Sequence, residues 1–448
     1  MDRPKIFPLT GGMFASLRDT AHAPVGLRPL HRLPSPRARS HPPAMREHFK
    51  PIHAKTLLIP LVILSLCTLT FSPASASEIA RGVDYTKTRM EFLSGDSNVH
   101  ILRIDPKKAF IHVVQARSGP PRGSVIARFL DMVFFFARNI PENPKGFGLA
   151  TLSQLLPEVH GIAGVNGGFF SSDASPLGLL VMDGEVVTYP LHDRAALMIG
   201  GGEVRVGHYM VSGTCTIQGN TFQISGVNQS RSPGELILFT PRYGNRTRTY
   251  GRGLEIVVRK GVVVEQRYAN SLIPEDGFVL STRGELGKQL APLSVDGTPI
   301  TVSVAIQSIE PGNPLQVRYA IGGGPQLLRA GKVYVTKHEE HFKMDIAEGS
   351  AARTAAALTK NGELLMVVVD GKLRGSENRP KESNAGCTLE ELALVLKDLG
   401  GWDALNLDGG GSSACVVQGK VVNQPVDGDE RRVSNVIVIR PSLTLAEE

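Results

Sequence analysis

Asp408 is followed by three glycines and two serines in the segment NLDGGGSSACVV, which spans residues 406–417 between two apolar runs. A carboxylate beside bare main chain and hydroxyl groups suits a sugar or phosphate group, because glycine lets a ligand approach backbone N–H groups. A tight turn capped by Asp408 explains the same pattern. Both interpretations stay open for this segment alone.

Three further glycine clusters share this arrangement. They are GVNGGFF (164–170), AIGGGPQLL (320–328) and VVVDGKLRG (367–375). Each follows an apolar run that predicts a strand, so each cluster is expected at a strand end, where a loop faces a crevice. The repetition favours one site built from several strand-end loops.

Arginines flank these clusters, and a guanidinium fork suits phosphate oxygens. Arg374 lies in DGKLRG, and Arg431 and Arg432 lie in DGDERRVSNVIV. A solvated surface charge is the alternative for each of them. Arg353, in SAARTAAAL, lies among small apolar residues, so we expect it to be buried with an anionic partner.

The sequence lacks the motifs typical of several other enzyme classes and metal sites. The sequence has no GxxxxGK[ST], HExxH, CxxC or GxSxG segment. HEEHF (338–342) places two histidines three residues apart, which is compatible with a metal, but a solvated loop is the preferred interpretation. We therefore expect no metal and no other cofactor.

Short strand-like runs must position these loops, and Gly, Asp, Asn or Pro separates most of them. The runs are 98–105, 109–116, 177–190, 234–240, 254–269, 298–307, 363–371 and 433–441. MDGEV and RKGVV predict hairpin turns.

Helices are fewer. The segment GCTLEELALVLKDLGG predicts a helix with Thr388 as N-cap, Glu391 completing a capping box and Gly400 at its end. A second helix is predicted within 149–159, and 124–140 has helical apolar spacing. We interpret 124–140 as a core helix, with a lid or a partner surface as alternatives. The predicted fold class is α+β, with a mostly antiparallel or mixed sheet and a few packed helices.

The formal net charge of the 448-residue chain, +7, is concentrated at its start. The first 58 residues hold ten Arg and Lys against three Asp and Glu, so the remainder is close to neutral. This distribution, together with an aromatic content of 6%, argues against a nucleic-acid partner.

The N-terminal region has the features of an export signal. Basic residues precede the apolar run 57–71, and an Ala-Ser-Ala motif predicts cleavage after Ala76, within a signal peptide at 45–76. The expected location is secreted or periplasmic, with membrane contact only if this segment stays uncleaved. Residues 1–44 are Pro- and Arg-rich, and we expect translation to start at Met45.

Three cysteines remain after the predicted cleavage site. Cys215, Cys387 and Cys415 form an odd set and are expected to be small buried hydrophobic residues, with one disulfide pair as the alternative.

The clusters, taken in order, resemble motifs of the phosphodiester glycosidase family. The matching segments are GVNGGFF, ELILFTPRYGNRTRT, GGGPQLL, RTAAAL, VVVDG, TLEELALVLKDLGGWDALNLDGGGSS and DGDERRVSNVIVI. The resemblance runs from about Arg81 to Pro441 and implies one domain over 77–448, with 117–146 as an added segment. Where the family often has an Ile-Gly pair after its RTA motif, this chain continues with alanines.

The resemblance implies cleavage of a sugar-1-phosphodiester at its glycosidic bond. Asp408 would be nucleophile, base or electrostatic stabiliser, Glu430 the second carboxylate, and Arg353 the phosphate clamp, with Arg431 as the alternative. The implied substrate-binding residues are Asn166, Gly167, Gly323, Asp370, Gly409, Gly410, Ser412, Arg431 and Asn435.

The function implied is therefore an exported hydrolase. It would release a free sugar and a phosphomonoester from a substrate of the N-acetylglucosamine-1-phosphate type, in an envelope or extracellular polysaccharide. A non-catalytic phosphoglycan-binding protein and a structural protein of the cell envelope are the alternatives.

Overall fold

The computed structural model describes residues 76–117, 147–309, 315–375 and 384–442, which all belong to one compact unit. The predicted N-terminal extension and signal segment, the helix predicted at 124–140 and most of the added segment 117–146 lie outside these ranges.

The described chain is built mainly of short strands. In chain order they are β1 (Ser77–Ala80), β2 (Val83–Met90), β3 (Ser97–Ile104), β4 (Ala109–Gln115), β5 (Ala163–Asn166), β6 (Leu180–Met182), β7 (Glu185–Thr188), β8 (Ala195–Gly200), β9 (Glu203–Ile217), β10 (Asn220–Ile224), β11 (Gly226–Val227), β12 (Leu236–Phe239), β13 (Leu254–Arg259), β14 (Val262–Arg267), β15 (Gly277–Thr282), β16 (Ile300–Ser308), β17 (Tyr319–Gly322), β18 (Gln326–Arg329), β19 (Lys332–Val333), β20 (Arg353–Thr359), β21 (Leu364–Val369), β22 (Gly401–Asn406), β23 (Cys415–Val417), β24 (Lys420–Val421) and β25 (Asn435–Pro441).

Helical segments are short. They are α1 (Leu152–Leu155), α2 (Glu285–Leu290), α3 (Met344–Ala347), α4 (Leu389–Asp398) and the 3-10 turns Leu156–Val159 and Gly410–Ser412. Helices α1 and α4 begin with capping boxes, formed by Thr151 with Gln154 and by Thr388 with Glu391. The predicted helix starting at Thr388 is therefore confirmed. Among the described residues, none of the helices has the length and hydrophobicity needed to span a membrane.

The described strands pair into four sheets. An eight-stranded sheet has the order β1-β2-β3-β21-β20-β22-β18-β19, and a seven-stranded sheet has the order β10-β9-β8-β17-β6-β7, with β16 also paired to β9. Two five-stranded sheets have the orders β11-β12-β15-β13-β14 and β24-β23-β5-β25-β4. The sheet-dominated fold expected from the sequence is confirmed.

Local turn chemistry sets the hairpins. The β6–β7 turn places Asp183 at φ 51° and Gly184 at φ 82°, and the β13–β14 turn places Lys260 at φ 49° and Gly261 at φ 78°. Two successive positive φ angles define the tight hairpin turn that asparagine, aspartate and glycine favour. Both predicted hairpins are therefore present.

The eight-stranded sheet is covered on both faces. One face packs against the β4/β5/β23/β25 sheet and the seven-stranded sheet, through side chains such as Leu102, Val165 and Leu197. The other face packs against α4, through side chains such as Val367 and Leu392. The two-sided burial explains why β20 and β21 read as continuous apolar runs.

Strand register brings distant loops together at one end of the eight-stranded sheet and of the sheet that contains β5 and β25. Arg353 at the start of β20 pairs with Val369 at the end of β21. Asn406 at the end of β22 pairs with β20, and Asn166 at the end of β5 pairs with Val436 near the start of β25. The glycine clusters that follow or precede these residues are therefore neighbours in space.

Candidate functional site

Asp408 lies just beyond the end of β22 and is partly buried. Its Oδ1 accepts a hydrogen bond of 2.9 Å from the N–H of Gly409. Its own N–H donates to the carbonyl of Gly167 at 3.1 Å, and its carbonyl accepts from Nδ2 of Asn166 at 2.7 Å. These contacts fix the main chain on which the carboxylate is held.

The Asp408 carboxyl is a weakened acid. Burial raises its pKa from the ordinary value of 3.8 to about 6, against the opposing effects of hydrogen bonds from Ser412 and the Gly409 N–H and of the Arg431 charge. Removal from water disfavours the charged form of a carboxyl group. A carboxylate poised near neutrality suits a proton acceptor or a nucleophile in catalysis.

Asn166 ties three segments together at this end of the sheets. Its side chain is fully buried, and its Oδ1 accepts from the Thr354 hydroxyl at 2.7 Å and from the Ala414 N–H at 3.1 Å. With its Nδ2 bonded to the carbonyl of Asp408, both ends of the amide are used within the protein. Asn166 thus holds the Asp408 segment in place, and its contact with a substrate stays a prediction.

Asn435 holds the neighbouring glycine loop. Its side chain is 1% exposed, and its Oδ1 accepts from the Gly168 N–H at 2.8 Å. The Asn435 carbonyl accepts from the Gly167 N–H at 3.0 Å. Asn435 therefore lies two hydrogen bonds away from Asp408, through Gly167.

The glycine loops interlock with one another. A Cβ on Gly409 would lie 2.9 Å from the carbonyl oxygen of Ala352, and a Cβ on Gly371 would lie 2.5 Å from the Ala352 nitrogen. A Cβ on Gly323 would lie 2.5 Å from the carbonyl oxygen of Asn406, and one on Gly167 would clash with Asn435. The close approach is thus between chain segments, which is a different reason for glycine from the approach of a ligand expected from the sequence.

Gly410 differs from these glycines. It adopts φ 57°, and no atom lies within 4 Å of the position its Cβ would take. Its N–H donates to the carbonyl of Ala352 at 2.8 Å. The turn beside Asp408 is therefore anchored at Gly410 and presents an open side there.

Arg353 is 3% exposed and lies against the Asp408 loop, with its Cδ 3.9 Å from the Cβ position of Gly409. Its Nε, Nη1 and Nη2 donate to the backbone carbonyls of Cys387, Ile346 and Gly349 at 3.2, 3.0 and 2.9 Å. Burial lowers the pKa of its guanidinium. The expected burial is present, but carbonyl dipoles take the place of the expected anionic partner.

Arg431 contacts the loop that follows Asp408. Its Nη1 donates to the Ser412 hydroxyl at 3.4 Å, and its Nε and Nη2 donate to Oδ2 of Asp427 at 2.9 and 2.6 Å. Arg374 reaches Oδ1 of the same Asp427 at 3.1 Å. Ser412, Arg431, Asp427 and Arg374 thus form a continuous series of polar contacts close to Asp408.

Glu430 has a different set of partners. Its two carboxylate oxygens accept from the N–H and the hydroxyl of Ser153 at 3.0 and 2.6 Å, at the start of α1. Ser153 is thereby fixed in the first turn of α1. The structure does not place Glu430 in the hydrogen-bond network of Asp408, and its role as second carboxylate stays a prediction.

Asp370 is 1% exposed and belongs to a buried network. Its Oδ2 lies 3.3 Å from Nε2 of His100, whose Nδ1 lies 2.9 Å from the Tyr85 hydroxyl. Its Oδ1 accepts from the Gln424 N–H at 2.8 Å. These contacts join β2, β3 and β21 to the segment before β25, and direct contact with a substrate stays a prediction.

Two acidic residues of importance were missed by the sequence reasoning. Asp427, which joins the two arginines, was read only as part of the motif around Arg431. Glu340 lies in HEEHF, for which a solvated loop was expected, yet it is 2% exposed and accepts from the N–H groups of Ala195 and Gln326 at 3.1 and 2.8 Å. The solvated-loop prediction is wrong for Glu340, because its carboxylate satisfies backbone donors beside the GGGP loop.

A cavity of about 270 Å³ lies apart from these residues. Leu177, Thr188, Tyr189, Asn228 and Gln229 contribute to its wall, and the predicted site residues do not. The Leu177 N–H donates to the carbonyl of Phe169, in the GVNGGFF loop, at 2.8 Å. The GVNGGFF loop therefore contacts a residue of the cavity wall.

The cysteines are free and buried, as expected. Burial raises the pKa of the Cys215 thiol to about 11 and that of Cys387 to about 12, so neither is a reactive thiolate at neutral pH. Within the described residues, no group of three or more His, Cys, Asp and Glu side chains is arranged to hold a metal ion.

The fold and the site define a sheet-dominated protein with a buried-arginine and aspartate centre, and residues 252–440 match the sequence model of the phosphodiester glycosidase family. The match includes Arg353, Asp408 and Asn435, whereas Asn166 lies outside it. Over this region the resemblance found in the motifs is confirmed.

Two curated relatives carry the same name, N-acetylglucosamine-1-phosphodiester alpha-N-acetylglucosaminidase. The Mus musculus protein is 28% identical over 184 residues, which cover 37% of this chain and 34% of the relative. The Bos taurus protein is 28% identical over 180 residues, which cover 36% and 32%. The chain thus spans about a third of the length of these relatives.

Solved structures show the same fold. A Synechocystis protein superimposes with a TM-score of 0.64 at 20% identity, covering 83% of this chain and 64% of that chain. A Burkholderia pseudomallei protein superimposes with a TM-score of 0.60 at 22% identity, covering 78% and 74%. The sheet arrangement therefore recurs well beyond the region of the family match.

Proposed function

We propose that this protein is an exported hydrolase that cleaves the glycosidic bond of a sugar-1-phosphodiester. The single observation that carries the proposal is the placement of Asp408. Its carboxyl, with a pKa raised to about 6, sits beside an open glycine turn within the matched region. The substrate class follows the name of the two relatives, N-acetylglucosamine-1-phosphodiester alpha-N-acetylglucosaminidase.

The reaction needs little general-acid catalysis. A phosphate leaving group is a weak base, so the bond from the anomeric carbon to the phosphate oxygen breaks with the electron pair leaving on phosphate. A water oxygen bonds to the anomeric carbon and loses its proton. The Asp408 carboxylate either takes that proton or attacks the carbon first, and its charge stabilises the oxocarbenium-like centre.

The remaining residues position this carboxylate. Asn166 holds the Asp408 main chain, and Arg353 packs a buried positive charge against Gly409. Both are set by the pairing of β5 and β20 with their neighbours. We propose that the natural substrate belongs to an envelope or extracellular polysaccharide. We also propose that the fold is of the α+β class.

A direct assay tests the proposal. The protein is incubated with the methyl phosphodiester of N-acetylglucosamine-1-phosphate between pH 5 and 8, and free sugar is measured. We expect turnover that falls below about pH 6, as Asp408 becomes protonated, and a loss of at least about 100-fold in Asp408→Asn. Asp429→Asn, an exposed carboxylate of the nearby loop, is the matched control.

The alternative is a phosphoglycan-binding protein of the envelope without catalysis. Binding needs the loops and the arginines but not a carboxylate of raised pKa. Equal turnover by wild type and a folded Asp408→Asn variant would remove Asp408 from the mechanism. No release of sugar from any of a panel of sugar phosphodiesters, with binding retained, would favour the alternative.

A further inference from the structure

We propose that Arg431 and Arg374, aligned by Asp427, form the subsite that binds the phosphate of the substrate. The inference rests on the proposed function and deepens it, because it assigns the phosphate to the two arginines that Asp427 joins instead of to Arg353. Three observations support it.

The first observation is that Arg353 is buried. It is 3% exposed, and all three of its nitrogens already donate to backbone carbonyls. A phosphate oxygen would have to enter a buried space and compete with these carbonyls. Arg353 therefore supports the Asp408 loop by packing against Gly409.

The second observation is the accessibility of the Arg374–Arg431 pair. The Arg431 side chain is 35% exposed and that of Arg374 is 72% exposed. Asp427 bonds one edge of each guanidinium, which leaves other N–H groups of both residues free to point at a ligand. Two arginines with one aspartate carry a net charge of +1, which matches the single negative charge of a phosphodiester.

The third observation is that a short series of contacts links Arg431 to Asp408. Arg431 touches the Ser412 hydroxyl, the Ser412 N–H donates to the carbonyl of Gly409 at 3.1 Å, and the Gly409 N–H donates to the Asp408 carboxylate at 2.9 Å. Arg431 also packs directly on Gly411, where a Cβ would clash with its guanidinium. A phosphate held by Arg431 thus lies on the open side of the glycine turn, next to the carboxylate that acts on the anomeric carbon.

A binding experiment tests this subsite without turnover. Inorganic phosphate and N-acetylglucosamine-1-phosphate are titrated into the full chain by calorimetry, with free N-acetylglucosamine as the uncharged reference. We expect affinity for both anions to fall at least about tenfold in Arg431→Gln and several-fold in Arg374→Gln, and to weaken with added salt. Arg431→Lys, which keeps the charge but loses the fork, should fall between wild type and Arg431→Gln.

Arg432→Gln is the matched control. Arg432 is the adjacent residue, carries the same charge and donates to the carbonyl of Leu149 instead. Its substitution should leave anion affinity unchanged. Wild-type affinity in Arg431→Gln, an equal loss in Arg432→Gln, or no anion binding by the wild type would each overturn the subsite.

The two proposals fail in different ways. If phosphodiesters are cleaved with an unchanged KM in Arg431→Gln, the subsite is wrong and the hydrolase stands. If no phosphodiester is cleaved but anion binding depends on Arg431 and not on Arg432, the phosphate subsite is supported and the proposed hydrolase function is wrong. Thermal unfolding of each variant shows whether it is folded.

Discussion

At the scale of single residues, the site depends on how each polar group is satisfied. Ser412, the Gly409 N–H and the charge of Arg431 all act to lower the pKa of Asp408. Burial outweighs these effects and raises the pKa. Arg353 is satisfied by carbonyls, and Glu430 by Ser153. Residues of the same type therefore take different roles because their surroundings differ.

The raised pKa of Asp408 predicts how stability depends on pH. The folded state holds the proton more strongly than the unfolded chain, whose carboxyl has an ordinary pKa near 3.8. This contribution to stability is complete below about pH 4 and is lost as pH rises through about 6. Relative to wild type, Asp408→Asn should gain stability over that window, by up to about 3 kcal/mol before screening at a partly exposed site reduces it.

Denaturant unfolding at pH 4, 5, 6 and 7 measures this gain. Asp429→Asn, whose carboxyl is exposed, should follow the wild-type curve. A difference between Asp408→Asn and wild type that stays constant with pH, or that shrinks toward neutral pH, would contradict the assignment of a raised pKa.

At the scale of elements, strand ends and glycine loops assemble the site as one unit. The Asp408 loop packs on Ala352, the residue before β20, and the loop after β21 packs on the same residue. The GVNGGFF loop bonds the Asp408 N–H. Each loop therefore depends on the backbone of the next.

Gly409→Ala tests this interlock. Gly409 has φ −128°, so alanine suffers no backbone strain there, and the cost comes from its Cβ 2.9 Å from the Ala352 carbonyl. We expect a loss of roughly 2 kcal/mol in stability and at least about tenfold in turnover, because the carboxylate is displaced. Urea unfolding and the sugar-release assay measure the two effects.

Gly419→Ala is the comparison. Gly419 has φ 75° in the β23–β24 turn, with open space around its Cβ position, so strain of about 1 kcal/mol is expected without loss of turnover. Equal effects of the two substitutions on turnover would show that the interlock does not position Asp408.

At the scale of the whole molecule, the described sheets share cores that reach from β1 to β25. The first strand of the described residues, β1, begins at Ser77, which pairs with Tyr85 of β2. Cleavage after Ala76, as the signal motif predicts, would leave every residue of β1 in the mature protein.

We therefore expect the exported form to start at Ser77. Expression of the full chain in a secreting host, followed by N-terminal sequencing of the exported protein, checks this. A protein that begins inside β1, or one that retains the apolar run 57–71 and stays with the membrane fraction, would contradict cleavage after Ala76.

Much of the fold followed from local signals. The α4 capping box, the two tight hairpins and the strand runs depend on neighbouring residues only, and each was found where the sequence predicted it. The motifs likewise pointed to the region that the family match later covered. The apolar segment at 124–140 lies outside the described residues, so its interpretation stays a prediction.

The sequence by itself determined eight strand runs, two hairpin turns, the α4 helix and the residue types available for chemistry. Only the tertiary structure decided the partners: carbonyls for Arg353, Ser153 for Glu430, Asp427 for Arg431, and buried backbone donors for Glu340. The physical reason is that a hydrogen bond or an ion pair depends on distances of a few ångströms between segments far apart in the chain. The periodicity of a sequence indicates on which face of a strand or helix a side chain lies. It does not indicate which side chain or backbone group of a distant segment will contact that face.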